Sequence, residues 1–265
     1  MPYVFTNGIR LAYERSGRGE RVILIMGSSA AGRVWSLHQT PALARAGYQA
    51  ITFDNRGIPP SDVPRGRYSL ADMVADTKGL IETLDAAPCR IVGASLGALI
   101  AQELALSAPH LVRCAVLIGT KSRSDAIRAA QGKADRALLE SGVKLPADYH
   151  AVAMAHEMLS PATLNDDSAV SLWLDTFRLA GGEASHGQAW IDTDTDRREA
   201  LRGVEVPCRV IAFSHDLITP PHLAAEVADA IPDCDFVEIP GCGHFGYLER
   251  PNEVNSAIIE FLDKN

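Results

Sequence analysis

The 265-residue sequence predicts an α/β protein: a mostly parallel sheet of eight strands, flanked by helices and interrupted by a helical insertion. Three observations lead there. Short continuous apolar runs alternate with amphipathic stretches from residue 22 to 119, as in a parallel sheet buried on both faces. The alternation stops over residues 120–203 and resumes at Cys208. A Gly-x-Ser-x-Gly turn, Gly93-Ala94-Ser95-Leu96-Gly97, stands where one apolar run meets an apolar helix.

Val4-Phe5 and Leu11–Arg15 read as two short strands joined through Asn7-Gly8, the second alternating apolar and polar residues as a half-exposed antiparallel strand should. Val22–Met26 is a buried strand that ends in the small-residue loop Gly27-Ser28-Ser29-Ala30-Ala31-Gly32. Residues 35–46 form a helical connection, with Pro41 opening its second part. Tyr48–Phe53 is the next strand, and it ends in Asp54-Asn55-Arg56-Gly57. Asp54 and Arg56 are catalytic residue types, but the bracing of a strand-end turn explains them more simply. Ser69 to Leu84 is an amphipathic helix, capped by Ser69 with Asp72 three residues later.

The Ser95 turn follows a strand from Cys89 and precedes a helix from Leu96 to about Ala108. Val112–Gly119 is again a strand. Residues 120–203 contain no strand pattern. Helices are expected near 125–140, 146–158, 164–179 and 186–191, punctuated by Gly, Pro and Asp. Cys208–Phe213, a helix over 221–230, a strand over 235–239 and a helix over 251–262 close the chain. The organisation expected is a core of residues 1–119 and 204–265, with residues 120–203 a cap over the strand ends.

Composition excludes several function classes. The chain is 47% apolar and 22% charged, ordinary for an enzyme with a sizeable core. A net charge of −8 argues against nucleic acid as partner. No apolar run reaches the ~18 residues that span a membrane. The first residues have neither a basic n-region nor an apolar h-region, so a cytoplasmic location is expected. The five cysteines are scattered without a CxxC pair, which fits free buried thiols better than a disulfide framework. No His–carboxylate cluster has metal-ligand spacing, and no phosphate-binding glycine motif exists, so neither a metal nor a cofactor is expected.

The Ser95 turn reverses the chain so sharply that the serine must adopt a strained conformation, with small neighbours to avoid clashes. The N–H of Leu96, at the helix start, faces the same space and can meet a developing oxyanion. A serine hydroxyl needs a base and a group that fixes the base's tautomer. Of eight histidines, His244 sits in a loop with Gly241, Gly243 and Gly246 directly after a strand. Asp216 also follows a strand, in a turn held by Pro220-Pro221. His215 is a competing base by position. His38, His110, His150, His156, His186 and His222 fall on or beside predicted helices, and Asp233 and Asp235 precede a strand and face the wrong edge.

At these residues the chain resembles the α/β-hydrolase superfamily. The carriers are Gly93–Gly97, Asp54-Asn55-Arg56-Gly57 with Ser61, the Asp216 turn, and Gly243-His244-Phe245 followed by Tyr247–Pro251. The resemblance covers nearly the whole chain outside the cap. It is nearest to the small bacterial branch of esterases, thioesterases, cofactor-free haloperoxidases and ring-product C–C hydrolases, and it extends to hydrolases found beside polyketide pathways. Two departures are Met26 in place of the usual histidine of the oxyanion loop and Pro59 in place of a second glycine.

The resemblance implies the chain order Ser95, Asp216, His244 and a two-step acyl transfer. Leu96 and Ser28, with Ser29 as second choice, would supply the oxyanion-hole N–H groups. Ser29, Trp173, Phe177 and Phe245 are candidates to contact an acyl substrate. Serine rather than aspartate at position 95 argues against dehalogenase and epoxide-hydrolase chemistry. Three functions remain: ester, lactone or thioester hydrolysis; C–C hydrolysis with the same triad; and an idle hydrolase fold that only binds a ligand. Lys121, Arg123, Arg128, Lys133 and Arg136, against Asp125 and Asp135, leave the start of the cap basic, which would suit an acidic acyl carrier protein, although a solvated helix face is the simpler reading.

Overall fold

The structure, a computed structural model, describes residues 1–180 and 187–265. Its eight strands form one sheet in the order β1-β2-β4-β3-β5-β6-β7-β8. These are β1 (Tyr3–Thr6), β2 (Ile9–Gly17), β3 (Glu20–Ile25), β4 (Tyr48–Phe53), β5 (Cys89–Ala94), β6 (Val112–Ile118), β7 (Cys208–Phe213) and β8 (Cys234–Ile239). β1 and β2 are antiparallel to their neighbours, and every other pairing is parallel. The helices are α1 (Gln39–Arg45), α2 (Leu70–Thr83), α3 (Leu96–Ser107), α4 (Ala126–Ser141), α5 (Ala147–Met158), α6 (Pro161–Leu164), α7 (Asp167–Ala180), α8 (Arg198–Leu201), α9 (Pro221–Ala230), α10 (Gly246–Glu249) and α11 (Pro251–Lys264).

Because side chains alternate across a strand, each apolar run feeds two cores. Ile23, Ile25, Ile91, Leu117 and Val210 pack with Met73, Leu80, Ile100, Leu104 and Val227 of α2, α3 and α9. Val22, Leu24, Val92, Val116 and Ile211 face the opposite way, onto Trp35, Leu43 and, from α11, Val254, Ile258 and Leu262. Each such buried side chain contributes about 1.5–3 kcal/mol. The expected capping box is present on α2: Ser69 accepts from the Asp72 N–H, and the Asp72 carboxylate accepts from that of Ser69. Pro41 falls inside α1 and does not open it, because the chain turns into the helix at Gln39.

Between β6 and β7 the described residues hold helices and turns only. α5 and α7 form a small cluster of their own: Ala151, Ala155, Leu159 and Phe177, with Trp173 and Met158 beside them. The last helix expected there is a single 3₁₀ turn, Gln188–Trp190, and His186 lies outside the described residues. No described helix is long and apolar enough to cross a membrane.

The six mutually parallel strands, β3 to β8, deliver their C-terminal ends to one edge. Ser28 follows β3, Ser95 follows β5, Gly119 follows β6, Asp216 follows β7 and His244 follows β8. Residues distant in sequence therefore meet there.

Candidate active site

Ser95 is the turn residue between β5 and α3. Its φ of +53° and ψ of −117° lie in a region that residues with a side chain rarely occupy. Its N–H donates to the Ile118 carbonyl of β6 at 2.9 Å, which holds the turn to the sheet. The glycines around it are required by contact. A Cβ on Gly93 would lie 2.3 Å from the Gly97 carbonyl oxygen, and one on Gly97 would lie 2.1 Å from that of Ile25. α3 thus starts hard against β3 and β5.

The loop after β3 closes over this turn. A Cβ on Gly27 would sit 3.1 Å from Ser95 Cβ and 3.7 Å from its Oγ. Among the described residues, the N–H groups of Leu96 and Ser28 have no hydrogen-bond acceptor. The Ser29 N–H does have one: it donates to Gln188 Oε1 at 2.9 Å. Ser29 itself has a φ of +60°. Such a conformation costs about 1–3 kcal/mol in a non-glycine residue and persists where its surroundings impose it.

His244 and Asp216 meet as a buried pair, Nδ1 to Oδ2 at 2.8 Å. With Nδ1 donating to a carboxylate, the neutral imidazole carries its lone pair on Nε2. Asp216 also accepts from the Ile218 and Thr219 N–H groups on Oδ1, both at 2.8 Å, and from Thr219 Oγ1 on Oδ2 at 2.7 Å. Burial pushes the Asp216 pKa up, but the charge and hydrogen bonds of His244 and the bonds from Thr219 outweigh it, and the carboxyl lies below its ordinary value. Gly119, with a φ of +54°, passes beside this group: a Cβ there would stand 3.3 Å from His244 Cε1. Ile118 thus holds the Ser95 turn while Gly119, its neighbour, packs on the His244 ring. Among the described residues the Ser95 hydroxyl has no hydrogen-bond partner, His244 included. Such contacts commonly tighten only with substrate bound. His215, the competing base, is exposed and donates its N–H to the Cys242 carbonyl.

Asp54 and Arg56 brace the strand end, each differently. Asp54 accepts the Gly32 N–H at 2.7 Å. Arg56 forms a two-pronged pair with Asp76 of α2, at 2.5 and 2.6 Å, with both side chains buried. The aromatic candidates gather next to His244. Trp173 and Phe177 stack at 5.5 Å, and Phe245 stands 5.8 and 6.0 Å from their ring centres. Phe177 is buried in the packing of α5 and α7, so part of this set serves the helical segment's own core.

Two contacts that sequence reasoning missed tie the helical segment to these loops. Gln188 is one. Glu249 is the other: its Oε1 accepts from Ser160 N, Ser160 Oγ and Thr163 Oγ1, and its Oε2 accepts from the Gly243 N–H at 2.6 Å. The basic run at the start of the segment turns inward. Arg123 pairs with Glu226 at 2.5 Å, Arg136 with Asp194 at 3.5 Å, Arg128 donates to the Leu217 carbonyl, and Lys121 donates to Ser124 Oγ. Lys133 is exposed, as on a solvated helix face, while the other four basic residues are engaged by partners within the chain.

Comparison with known proteins fits this geometry. A family profile described as alpha/beta hydrolase fold matches residues 20–251. The chain is 46% identical over 257 residues to "Putative non-heme bromoperoxidase BpoC" of Mycobacterium tuberculosis, covering 96% of this chain and 98% of that one. The crystal structure of BpoC superposes with a TM-score of 0.92, over 96% of each chain. A thermophilic esterase from Thermogutta terrifontis superposes with a TM-score of 0.85 at 26% identity, over 100% of this chain and 99% of that one. The enol-lactonase from Burkholderia xenovorans LB400 gives 0.79 at 25% identity, over 99% and 100%.

Proposed function

Because this chain belongs to the α/β-hydrolase family, we propose that it is a serine hydrolase that cleaves a carboxylic ester, lactone or thioester through an acyl-enzyme. The observation that carries the reading is the buried His244–Asp216 pair, delivered to the same sheet edge as the strained Ser95 turn. Ser95 Oγ attacks the substrate carbonyl while His244 Nε2 takes its proton. The carbonyl oxygen becomes an oxyanion and is met by the N–H groups of Leu96 and Ser28. The imidazolium, held by Asp216, then gives its proton to the leaving group. Water, deprotonated by His244, releases the acid and restores the serine. Ser28 is favoured over Ser29 as donor because the Ser29 N–H is already engaged.

In this reading residues 120–203 act as a cap, and the pocket lies between it and the strand ends. The substrate is a free small acyl compound. A carrier-bound one finds less support, since Arg123 and Arg136 face acidic groups of the chain itself.

The test is intact-mass labelling with a fluorophosphonate probe. Wild type should gain one adduct, while Ser95→Ala and His244→Ala should gain none. Esters and acyl thioesters of increasing length then define the substrate. A folded wild type that resists the probe would reject the reading in favour of an idle, ligand-binding fold. The likeness to BpoC favours a second reading, peroxide-dependent bromination at the same serine. Bromination by wild type but not by Ser95→Ala would support it.

A further inference from the structure

Gln188 sits between the helical segment and the two loops that follow β3 and β4. The residue is 5% exposed, and both ends of its amide are used. Oε1 accepts the Ser29 N–H at 2.9 Å, and Nε2 donates to the Arg56 carbonyl at 2.8 Å. Its own position is held by the residue before it. The Gly187 carbonyl accepts the Tyr68 N–H at 3.0 Å, and a Cβ on Gly187 would lie 2.5 Å from the Tyr68 ring. The partner it takes is not arbitrary. Ser29 holds a left-handed backbone, and its N–H belongs to the peptide next to the one that carries the Ser28 N–H. Fixing the Ser29 amide fixes the plane that joins it to Ser28, and so limits how far the adjoining peptide, which carries the Ser28 N–H, can swing.

We propose that Gln188 is a positioning residue for the oxyanion hole: by holding Ser29 in its left-handed conformation it aims the Ser28 N–H at the reacting carbonyl. The inference rests on the serine-hydrolase reading above. It deepens that reading by placing part of the oxyanion hole under the control of the helical segment. A helical segment lifted from the sheet edge would release Ser29, and the hole would lose its second donor. Catalytic competence and seating of the segment are therefore one equilibrium. A donor turned well off its line to the oxyanion loses part of its effect on the developing charge, because hydrogen bonds weaken steeply with angle.

Two substitutions separate positioning from packing. Gln188→Met keeps the volume and removes both hydrogen bonds. Gln188→Glu keeps an acceptor for the Ser29 N–H but sets a buried carboxylate oxygen against the Arg56 carbonyl. Its charge also opposes an oxyanion, so this variant is read by amide exchange and not by rate. Complete loss of one oxyanion donor costs about 100–1,000-fold in kcat. A displaced donor should cost less, so Gln188→Met is expected to lower kcat for a p-nitrophenyl ester, and the fluorophosphonate labelling rate, by about 10–100-fold, with KM within about threefold. Gln188→Glu should keep the Ser29 amide protected from exchange, which Gln188→Met should not. In wild type the Ser29 amide should exchange with solvent deuterium at least about tenfold more slowly than an open loop amide. A folded Gln188→Met with kcat within about threefold of wild type overturns the inference. So does a Ser29 amide that exchanges as slowly in Gln188→Met as in wild type. Should Gln188→Met fail to fold, the Ser29 exchange rates of wild type and Gln188→Glu decide, and unprotected exchange in wild type overturns the proposal. Labelled wild type with indifferent variants sinks this inference alone, whereas an unlabelled wild type removes the serine-hydrolase reading and this inference with it.

Discussion

Removing the carboxylate of Asp76 should destabilise the protein strongly, because it strands a buried positive charge. Asp76 and Arg56 are paired through two hydrogen bonds of 2.5 and 2.6 Å, and their side chains are 3% and 9% exposed. Asn7 Nδ2 donates to the same carboxylate at 2.9 Å, so the loss is felt at the β1–β2 turn as well. Asp76→Ala leaves a guanidinium with little access to water and no counter-charge. Breaking a buried pair in this way costs about 3–5 kcal/mol. The Tyr68 ring, 5.6 Å from the guanidinium centre, offsets some of this by a cation–π contact, which places the expected loss near about 3 kcal/mol. In a chain of this size that corresponds to a fall in Tm of roughly 6–12 °C. Urea unfolding gives the number, with the slope m checked for two-state behaviour. The double variant Arg56→Met/Asp76→Leu should recover much of it, because neither charge is then buried. A loss under about 1 kcal/mol in Asp76→Ala at unchanged m, or a double variant no more stable than the single one, would refute the reasoning.

Two further outcomes follow from the site. Thr219→Val removes the 2.7 Å bond to Asp216 Oδ2, one of the contacts that lower that carboxyl. A depressed pKa means that the ionised Asp216 contributes stability fully above its ordinary value of 3.8, and that this is lost as pH falls through the lower folded value. The variant should therefore lose stability at a higher pH than wild type when urea unfolding is followed downward from pH 7, and coincident acid limbs would contradict the account. Gly97→Ala places a methyl group 2.1 Å from the Ile25 carbonyl oxygen, so either β3 or the start of α3 must move. It should slow fluorophosphonate labelling at least about tenfold and cost about 1–3 kcal/mol. Labelling within about twofold of wild type would mean that the contact is not tight.

What could be read from the sequence was what is local or periodic. Val22–Met26 and Cys208–Phe213 announce buried strands because both faces of a central parallel strand need apolar residues. Ser69 and Asp72 announce a helix start because a capping box acts within four residues. The Ser95 turn, the Asp216 turn and the His244 loop are legible for a related reason: each is a small-residue or proline-marked break directly after a strand.

What escaped notice acts across the chain. Gln188 and Ser29 are 159 positions apart, and Glu249 and Ser160 are 89 apart. A glutamine in a short turn and a glutamate after a glycine loop have no period to betray them. The aromatic residues show the boundary between the two cases. Trp173 and Phe177, four apart on a helix, must share a face. Only the fold reveals that this face meets Phe245 and that Phe177 is enclosed by Ala151, Ala155 and Leu159.

The four hydrogen bonds on Glu249 bear on how such chains diversify. Three donors come from the segment between β6 and β7, and one comes from the histidine loop. A foreign segment grafted at that junction would have to bring hydroxyl donors to the places of Ser160 and Thr163, or leave a half-buried carboxylate short of partners beside the histidine loop. Recombination between relatives should therefore succeed where the graft and the carboxylate travel together. The segment is, in that sense, not a freely exchangeable module.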